Sequence, residues 1–198
     1  VGARFDDRVT GRLDAFSPDS VKFHIDIDQS SINKNVKVDF HTNTDITLTL
    51  KEINSFIESN NIELEKKDYT NWWGQINDWR KKECLHYEQG EEIIKPQHAI
   101  SRLYDLTTQK DTFITTEVGQ HQMWAAQYYK FSKPNRWITS GGLGTMGFGM
   151  PAAVGAQMAN PDSLVIDIAG EASFLMNIQE IATAVQYKLP IKIFILNN

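Results

Sequence analysis

The chain has 198 residues, of which 41% are hydrophobic and 23% are charged, and its formal net charge is −5. This composition is typical of a globular protein with one or two cores. The acidic balance and the absence of a basic stretch argue against a general nucleic-acid binder. No run approaches the roughly 18 apolar residues of a membrane span. The single cysteine, Cys84, excludes an internal disulfide framework and favours a reducing, cytoplasmic location.

Residues 1–58 are predicted to form the C-terminal part of an α/β domain. Short β-like runs lie at 21–27 and 46–50, and a helix is predicted over 50–59. Residues 2–11 are rich in charge and glycine, which is also typical of a surface loop with weak ion pairs. Asp26 and Asp28 end a β-like run, where Rossmann-like domains often bind a ribose hydroxyl.

Residues 59–95 are predicted to form a charged helical linker, and residues 96–198 the beginning of a second α/β domain. The linker contains three tryptophans near helical spacing, which are more typical of packing anchors than of ligand stacking: Trp72, Trp73 and Trp79. Pro96 suits the first turn of a helix that continues through Tyr104, and a strand is predicted at 112–115.

Two polar clusters follow predicted strands in this second domain. Gln120 and His121 come after the strand at 112–115 and are candidate ligands for phosphate oxygens, although a capped turn explains a lone histidine equally well. The segment 140–149 is rich in glycine and leads from the β-like run 137–139 into a helix of small residues. Such a loop turns backbone N–H groups toward an anion, or it allows close helix packing.

The last 35 residues are predicted to form a βαβ unit. Two β-rich runs, 164–169 and 191–196, flank a segment with apolar residues at helical spacing: Ile178, Ile181, Ala182 and Val185. A crossover helix makes the strands parallel, so Glu171 and Asn198 are expected to meet at one sheet edge. Carboxylate and amide oxygens suit a hard divalent cation that also carries phosphate. Since such a sheet normally continues, we expect the chain to be an internal part of a longer protein.

Four motifs, in this order, resemble the catalytic subunit of the acetolactate synthase family, within the thiamine-diphosphate enzymes: residues 2–11, 119–124, 139–147 and the terminal βαβ unit. The resemblance implies parallel-sheet three-layer α/β domains, namely part of the middle domain and the first part of the diphosphate-binding domain. Glu171 and Asn198, 27 positions apart, look like the family's Mg²⁺ ligands. By the same resemblance, Gln120 and His121 would contact the diphosphate of thiamine diphosphate, and Ala172 and Ser173 would lie beside it. The backbone groups of Gly144 and Met146 would face the aminopyrimidine ring of this cofactor.

The family also binds FAD, which has no redox part in its main reaction. The positions that match its FAD contacts are Gly2, Arg4, Asp26, Ile27, Asn33 and Asp45, with Gln122 and Met123 from the following domain. Asp7 and Arg8 resemble part of the substrate-channel wall. This chain departs from the family in two places. Thr44 replaces a glycine, and the threonine side chain would crowd the flavin. Glu171 replaces an aspartate among the metal ligands.

The resemblance implies condensation of two pyruvates, or of pyruvate and 2-oxobutyrate, with release of CO₂, in branched-chain amino-acid biosynthesis. It also implies a homodimer and a regulatory small subunit. The glutamate that activates the family's cofactor lies in an amino-terminal domain outside these residues, so we assign no catalytic acid or base and expect the 198 residues alone to be inactive. Two alternatives remain: another thiamine-diphosphate decarboxylase or carboligase, and a non-catalytic interaction module.

Overall fold

The computed structural model describes residues 1–197, so the predicted metal ligand Asn198 lies outside the described residues. The chain divides into two compact units, Val1–Gly74 and the residues from Gln75 onward. The predicted domain limits at residues 58 and 95 remain a proposal. No helix in the described part of the chain is both long and apolar enough to cross a membrane.

The first unit is built around two short parallel strands, as predicted for part of an α/β domain. Strand β1 (Phe23–Ile25) pairs with β2 (Phe40–Thr42), and Phe23 lies opposite Phe40. A short helix α1 (Asp7–Thr10) precedes the strands and a longer helix α2 (Ile46–Ser59) follows them. Because parallel strands end at the same side, the segments after β1 and β2 lie at one edge.

The prediction of a β-like run at 46–50 is wrong, and the strand at Phe40–Thr42 was not predicted. Asp45 caps helix α2, since its carboxylate accepts the N–H groups of Thr47 at 2.8 Å and Leu48 at 3.4 Å. An aspartate at this position satisfies backbone donors that the first helical turn leaves free. The cap therefore outweighs the weak β preference of the isoleucine and threonines that follow it.

Helix α3 (Thr70–Arg80) confirms the helix predicted from the tryptophan spacing, although it occupies only part of the linker. Trp72, Trp73 and Trp79 retain 54%, 53% and 46% of their accessible surface. Their role as packing anchors therefore remains a prediction.

The second unit is a parallel sheet with helices on both faces, and its strand order is β4-β3-β5-β6. The strands are β3 (Thr112–Thr116), β4 (Trp137–Thr139), β5 (Leu164–Ala169) and β6 (Lys192–Ile195). The helices are α4 (Pro96–Thr107), α5 (Gln120–Tyr128), α6 (Gly149–Ala159), α7 (Glu171–Leu175) and α8 (Glu180–Gln186). The predicted fold class and the parallel βαβ unit are confirmed.

Two apolar layers hold the helices on the sheet. On one face, α4 and α5 cover a core of buried residues: Ile100, Ile114, Ala125, Tyr129, Ile166 and Ile168. On the other face, α6 packs through Ala153 and Ala156 against Phe113 and Val165. Small residues in α6 let its backbone approach the strands, which keeps the start of this helix close to the sheet edge.

The predicted crossover helix is wrong in one respect, because it is broken into α7 and α8. Ile178 lies between the two helices, and Val185 is 70% exposed. The residue of α8 that is buried is Ala184, with Ile181 packed beside it. Of the four residues with the predicted spacing, only Ile181, Ala182 and Val185 lie on α8, and the face that this helix buries is centred on Ala184.

Candidate functional site

Loops from three neighbouring strands meet at the carboxyl edge of the second sheet. Thr116, the last residue of β3, lies opposite Thr139 of β4 and Ile168 of β5. The segments that follow these strands begin at Glu117, Ser140 and Gly170. The polar clusters that were predicted from separate parts of the sequence are therefore neighbours in space, as the parallel topology requires.

His121 is the most enclosed of the predicted binding residues at this edge. Only 5% of its surface is exposed, and its Nε2 atom is buried without a hydrogen-bond partner among the described residues. Two glycines flank the ring: a Cβ atom would lie 2.8 Å from Nδ1 at position 170 and 2.9 Å from Cε1 at position 119. Because buried nitrogens are normally hydrogen-bonded, the orphaned Nε2 atom fits a polar ligand at this edge.

Burial lowers the pKa of His121, and this effect is opposed by the carbonyl of Glu117 and by the charges of Glu117 and Glu171. The neutral imidazole carries one donor nitrogen and one acceptor nitrogen. Gln120 precedes it at the beginning of α5 and is exposed. Gln120 and a neutral His121 can therefore hydrogen-bond to the oxygen atoms of a ligand, and neither side chain carries a formal charge.

The glycine-rich loop is held at Gly147 through both of its backbone groups. The N–H of Gly147 donates to Ser173 Oγ at 3.1 Å, and Asn177 Nδ2 donates to its carbonyl at 2.6 Å. Its φ of +82° favours glycine, and a Cβ atom there would lie 2.8 Å from Asn177 Nδ2. Earlier in the loop, Ser140 Oγ accepts the N–H of Thr145 at 3.0 Å.

The two positions predicted to face the aminopyrimidine ring, Gly144 and Met146, lie between the hydrogen-bonded residues Ser140 and Gly147. Gly144 has a φ of +72°, and Met146 retains 40% of its surface. Their backbone groups are thus placed on an exposed stretch of loop whose ends are hydrogen-bonded. This stretch of the loop is therefore accessible from solvent.

The short helix α7 after β5 contains three predicted residues, of which two are exposed to solvent and one is buried. Glu171 and Ala172 are exposed, whereas Ser173 is only 2% exposed. The hydroxyl of Ser173 donates to Glu117 Oε2 at 2.8 Å. A contact between Ser173 and a ligand would therefore come from its backbone, since its side chain is already hydrogen-bonded.

Sequence reasoning assigned no role to Glu117 or Asp167, which are two fully buried acids under this edge. Asp167 lies in the middle of β5, where its Oδ1 atom accepts the hydroxyl of Thr115 at 3.0 Å. Burial, and secondly the charge of Glu117, raise the pKa of Asp167 to about 7, against the lowering effect of Thr115. For Asp167, the sequence does contain a signal, because this acid interrupts the otherwise apolar, β-rich run Leu164–Ala169.

The residues from 1 to 197 contain no cluster of three or more His, Cys, Asp or Glu side chains that would hold a metal ion. Glu171 is exposed at the first position of α7, and its predicted partner is Asn198. A cation here would need carbonyl, amide or ligand oxygens to complete its coordination, as Mg²⁺ bound to a phosphate does.

In the first unit, several predicted residues lie at the carboxyl edge of β1 and β2. The N–H of Gly2 donates to the carbonyl of Ile25 at 2.8 Å. Asn43 Nδ2 donates to the carbonyls of Asp26 at 2.9 Å and Ile27 at 2.8 Å. These bonds gather the start of the chain and the ends of both strands at one place.

The other predicted residues of this unit have defined local contacts. Arg4 lies 3.5 Å from Asp6, and Asn33 Oδ1 accepts the N–H of Val38 at 2.9 Å. The hydroxyl of Thr44 is hydrogen-bonded to Thr42 and Thr49 and so is turned toward α2.

Asp7 and Arg8 are exposed on α1, and Asp7 lines a cleft of about 360 Å³ with Phe5, Thr10 and Asn35. In the second unit, Gln122 Nε2 donates to Thr139 Oγ1 at 2.7 Å, whereas Met123 is 59% exposed. The predicted roles of Asp7 and Arg8 in the substrate channel, and of Gln122 and Met123 in FAD binding, remain a proposal.

Comparison with known families matches both ends of the chain. Residues 117–198 match the thiamine pyrophosphate enzyme C-terminal TPP-binding domain, and residues 1–53 match the central domain of the same enzymes. The first match covers His121, the glycine-rich loop and the turn at Glu171. The second covers the predicted residues of the first unit.

Curated relatives match over the whole chain. It is 46% identical over 198 residues to acetolactate synthase isozyme 3 large subunit of Escherichia coli, covering 100% of this chain and 34% of the relative. It is 49% identical over 197 residues to the chloroplastic acetolactate synthase 1 of Nicotiana tabacum, covering 100% of this chain and 29% of the relative. The chain thus spans about a third of the length of these relatives.

Proposed function

Because the chain belongs to the acetolactate synthase group of the thiamine pyrophosphate enzymes, we propose that the whole protein condenses two 2-oxo acids with loss of CO₂. Pyruvate is the proposed donor, and pyruvate or 2-oxobutyrate is the proposed acceptor. The products would be 2-acetolactate and 2-aceto-2-hydroxybutyrate, which lead to branched-chain amino acids. The names of the relatives support this reaction for the longer proteins that they describe.

The observation that carries the proposal is the enclosed His121 at the carboxyl edge of the sheet. Its Nε2 atom, which has no hydrogen-bond partner within residues 1–197, the two glycines that flank its ring and the adjoining glycine-rich loop fit the diphosphate of thiamine diphosphate. When bound, this cofactor supplies the nucleophilic carbon and the electron sink for decarboxylation. Gln120 and His121 would hydrogen-bond to its phosphate oxygens.

The turn after β5 and the loop after β4 would hold opposite parts of the cofactor. Ala172 and the backbone of Ser173 would lie beside the diphosphate, and Glu171 with Asn198 would hold Mg²⁺ on it. Glu171 keeps the charge and oxygen donor of an aspartate, but its extra methylene extends the reach of the carboxylate. The backbone groups of Gly144 and Met146 would orient the aminopyrimidine ring.

FAD is the second proposed cofactor, held by the first unit. Asn43 keeps Asp26 and Ile27 at the strand edge, and Gly2 is hydrogen-bonded beside them. Arg4, Asn33 and Asp45 would complete the contacts of the first unit. Gln122 and Met123, in the second unit, are also proposed as FAD contacts by the family resemblance. The hydrogen bonds that turn the Thr44 hydroxyl toward α2 support room for a flavin beside this residue.

We also propose a substrate path, two kinds of partner subunit and a location for the protein. Asp7 and Arg8 would line the substrate path, and a homodimer would supply the activating glutamate from a partner's amino-terminal domain. A regulatory small subunit is proposed because relatives carry the words "large subunit" in their names. A cytoplasmic location remains a prediction, since other relatives are named as chloroplastic.

Incubation of the full-length enzyme with pyruvate, Mg²⁺ and thiamine diphosphate tests the proposed reaction. Acetolactate is the expected product and is measured by its acid conversion to acetoin. Acetaldehyde without acetolactate would overturn the proposal in favour of a simple decarboxylase. Flavin extracted from the purified enzyme and identified by absorbance tests the FAD proposal independently.

A further inference from the structure

Glu117 is fully buried, and its carboxyl group contacts two separate parts of the candidate site. Oε1 accepts the N–H of Met150 at 3.0 Å, and Oε2 accepts the hydroxyl of Ser173 at 2.8 Å. Met150 lies at the start of α6, directly after the glycine-rich loop, and Ser173 lies in the short helix α7, which follows β5. One side chain therefore joins the two segments that would hold the two ends of the cofactor.

The direction of these hydrogen bonds depends on an acceptor at position 117. Because the hydroxyl hydrogen of Ser173 points to Glu117, its oxygen is left to accept the N–H of Gly147 at 3.1 Å. A carboxylate only accepts, so it imposes this order on the serine. Asn177 then holds the carbonyl of Gly147 at 2.6 Å, which completes the attachment of the loop.

We propose that Glu117 is a positioning residue that holds the glycine-rich loop, through Ser173 and Gly147, against the start of α7. This inference rests on the proposed function, because it concerns the same cofactor site. Glu117 has no exposed surface and so does not touch a ligand itself. Glu117 acts through Gly147 and Ser173. Their chain neighbours Met146 and Ala172 are the proposed contacts with the cofactor.

The replacement Glu117→Gln tests this role with little change in size. If the glutamine oxygen accepts the N–H of Met150, its amide nitrogen faces Ser173 and donates where the wild type accepts. Ser173 Oγ would then receive two donors, and its own hydrogen would lose its partner. A lost hydrogen bond to a charged group corresponds to roughly a tenfold to hundredfold weaker binding.

The experiment measures the dissociation constant of thiamine diphosphate for the full-length apoenzyme at saturating Mg²⁺, by calorimetry. We expect Glu117→Gln and Ser173→Ala each to weaken binding, and the double variant to be no weaker than the worse single variant. Glu92→Gln, which changes an exposed glutamate, is the matched control and should bind as the wild type does.

Apoenzyme unfolding, measured beside each titration, separates positioning from simple destabilisation. An unchanged dissociation constant for Glu117→Gln with a lower unfolding temperature would overturn the proposal, as would strictly additive effects in the double variant. If Glu117→Gln does not fold, Ser173→Ala and Asn177→Ala decide, since both must weaken binding. Failure of the unchanged enzyme to bind the cofactor would instead refute the proposed function, and this inference with it.

Discussion

The imidazole of His121 packs against Gly170 so closely that a Cβ atom at position 170 would lie 2.8 Å from Nδ1. His121 lies in the first turn of α5, after β3, whereas Gly170 follows the adjacent strand β5, and the two residues lie 49 positions apart in the chain. The missing side chain at Gly170 thus creates the space in which the histidine ring is buried. Position 170 is therefore coupled to the candidate phosphate contact.

We expect Gly170→Ala to displace His121 and to weaken thiamine diphosphate binding by roughly tenfold, about 1.4 kcal/mol. Gly155→Ala is the matched control, because a Cβ atom at this helical position meets nothing within 4 Å. Cofactor titration of both full-length variants checks the expectation. Equal affinity in the two variants would show that the ring moves without cost.

Gly149→Ala should destabilise the protein, because its Cβ atom would lie 2.7 Å from the backbone nitrogen of Glu117. Backbone atoms in a sheet cannot move aside as a flexible side chain can, so we expect a loss of about 2–4 kcal/mol. Gly155→Ala should instead be neutral or stabilise the helix by up to about 1 kcal/mol. Denaturant unfolding of both variants gives the two values, and a neutral Gly149→Ala would contradict the packing described here.

Asp167 should make the stability of the fold depend on pH. Its pKa is raised to about 7, so between about pH 4 and 7 the folded protein retains a proton that the unfolded chain releases. Its contribution to stability is therefore greatest at acidic pH and falls as pH rises through this window, by up to about 4 kcal/mol.

In the variant Asp167→Asn, the side chain at position 167 is uncharged at every pH, so the stability of the variant should not show this decline with rising pH. Denaturant unfolding measured from pH 5 to 8 should show the variant gaining stability relative to the wild type as pH rises. Asp162→Asn, at an exposed position, should keep the wild-type profile. Parallel profiles for Asp167→Asn and the wild type would refute the protonated state of Asp167.

Glu171 should support Mg²⁺ binding despite its extra methylene. We expect Mg²⁺ with thiamine diphosphate to raise the unfolding temperature of the full-length enzyme, since a ligand at 100 times its Kd adds about 2.7 kcal/mol. Glu171→Asp should keep this increase, whereas Glu171→Ala should lose the part that depends on Mg²⁺. An increase seen only in Glu171→Asp would show that the longer side chain is incompatible with the metal.

Local patterns in the sequence were sufficient for most elements of the second unit. Pro96 marked the start of α4. A run of β-branched and aromatic residues marked β3, and an apolar β-rich run, as burial in a parallel sheet requires, marked β5. The same reasoning failed at 46–50, where β-branched residues belong to a helix that Asp45 caps. It also joined α7 and α8, since periodicity does not reveal a break between two helices.

The parallel direction of the strands could be predicted from the sequence, and with it the sheet edge where Gln120, His121, Gly144 and Glu171 lie, because a crossover helix leaves strands only one relative direction. The way in which Glu117, Ser173 and Gly147 are joined could not be predicted and is visible only in the folded protein. Their hydrogen bonds span 26 and 56 positions and depend on side-chain direction and close packing, which spacing along the chain does not specify.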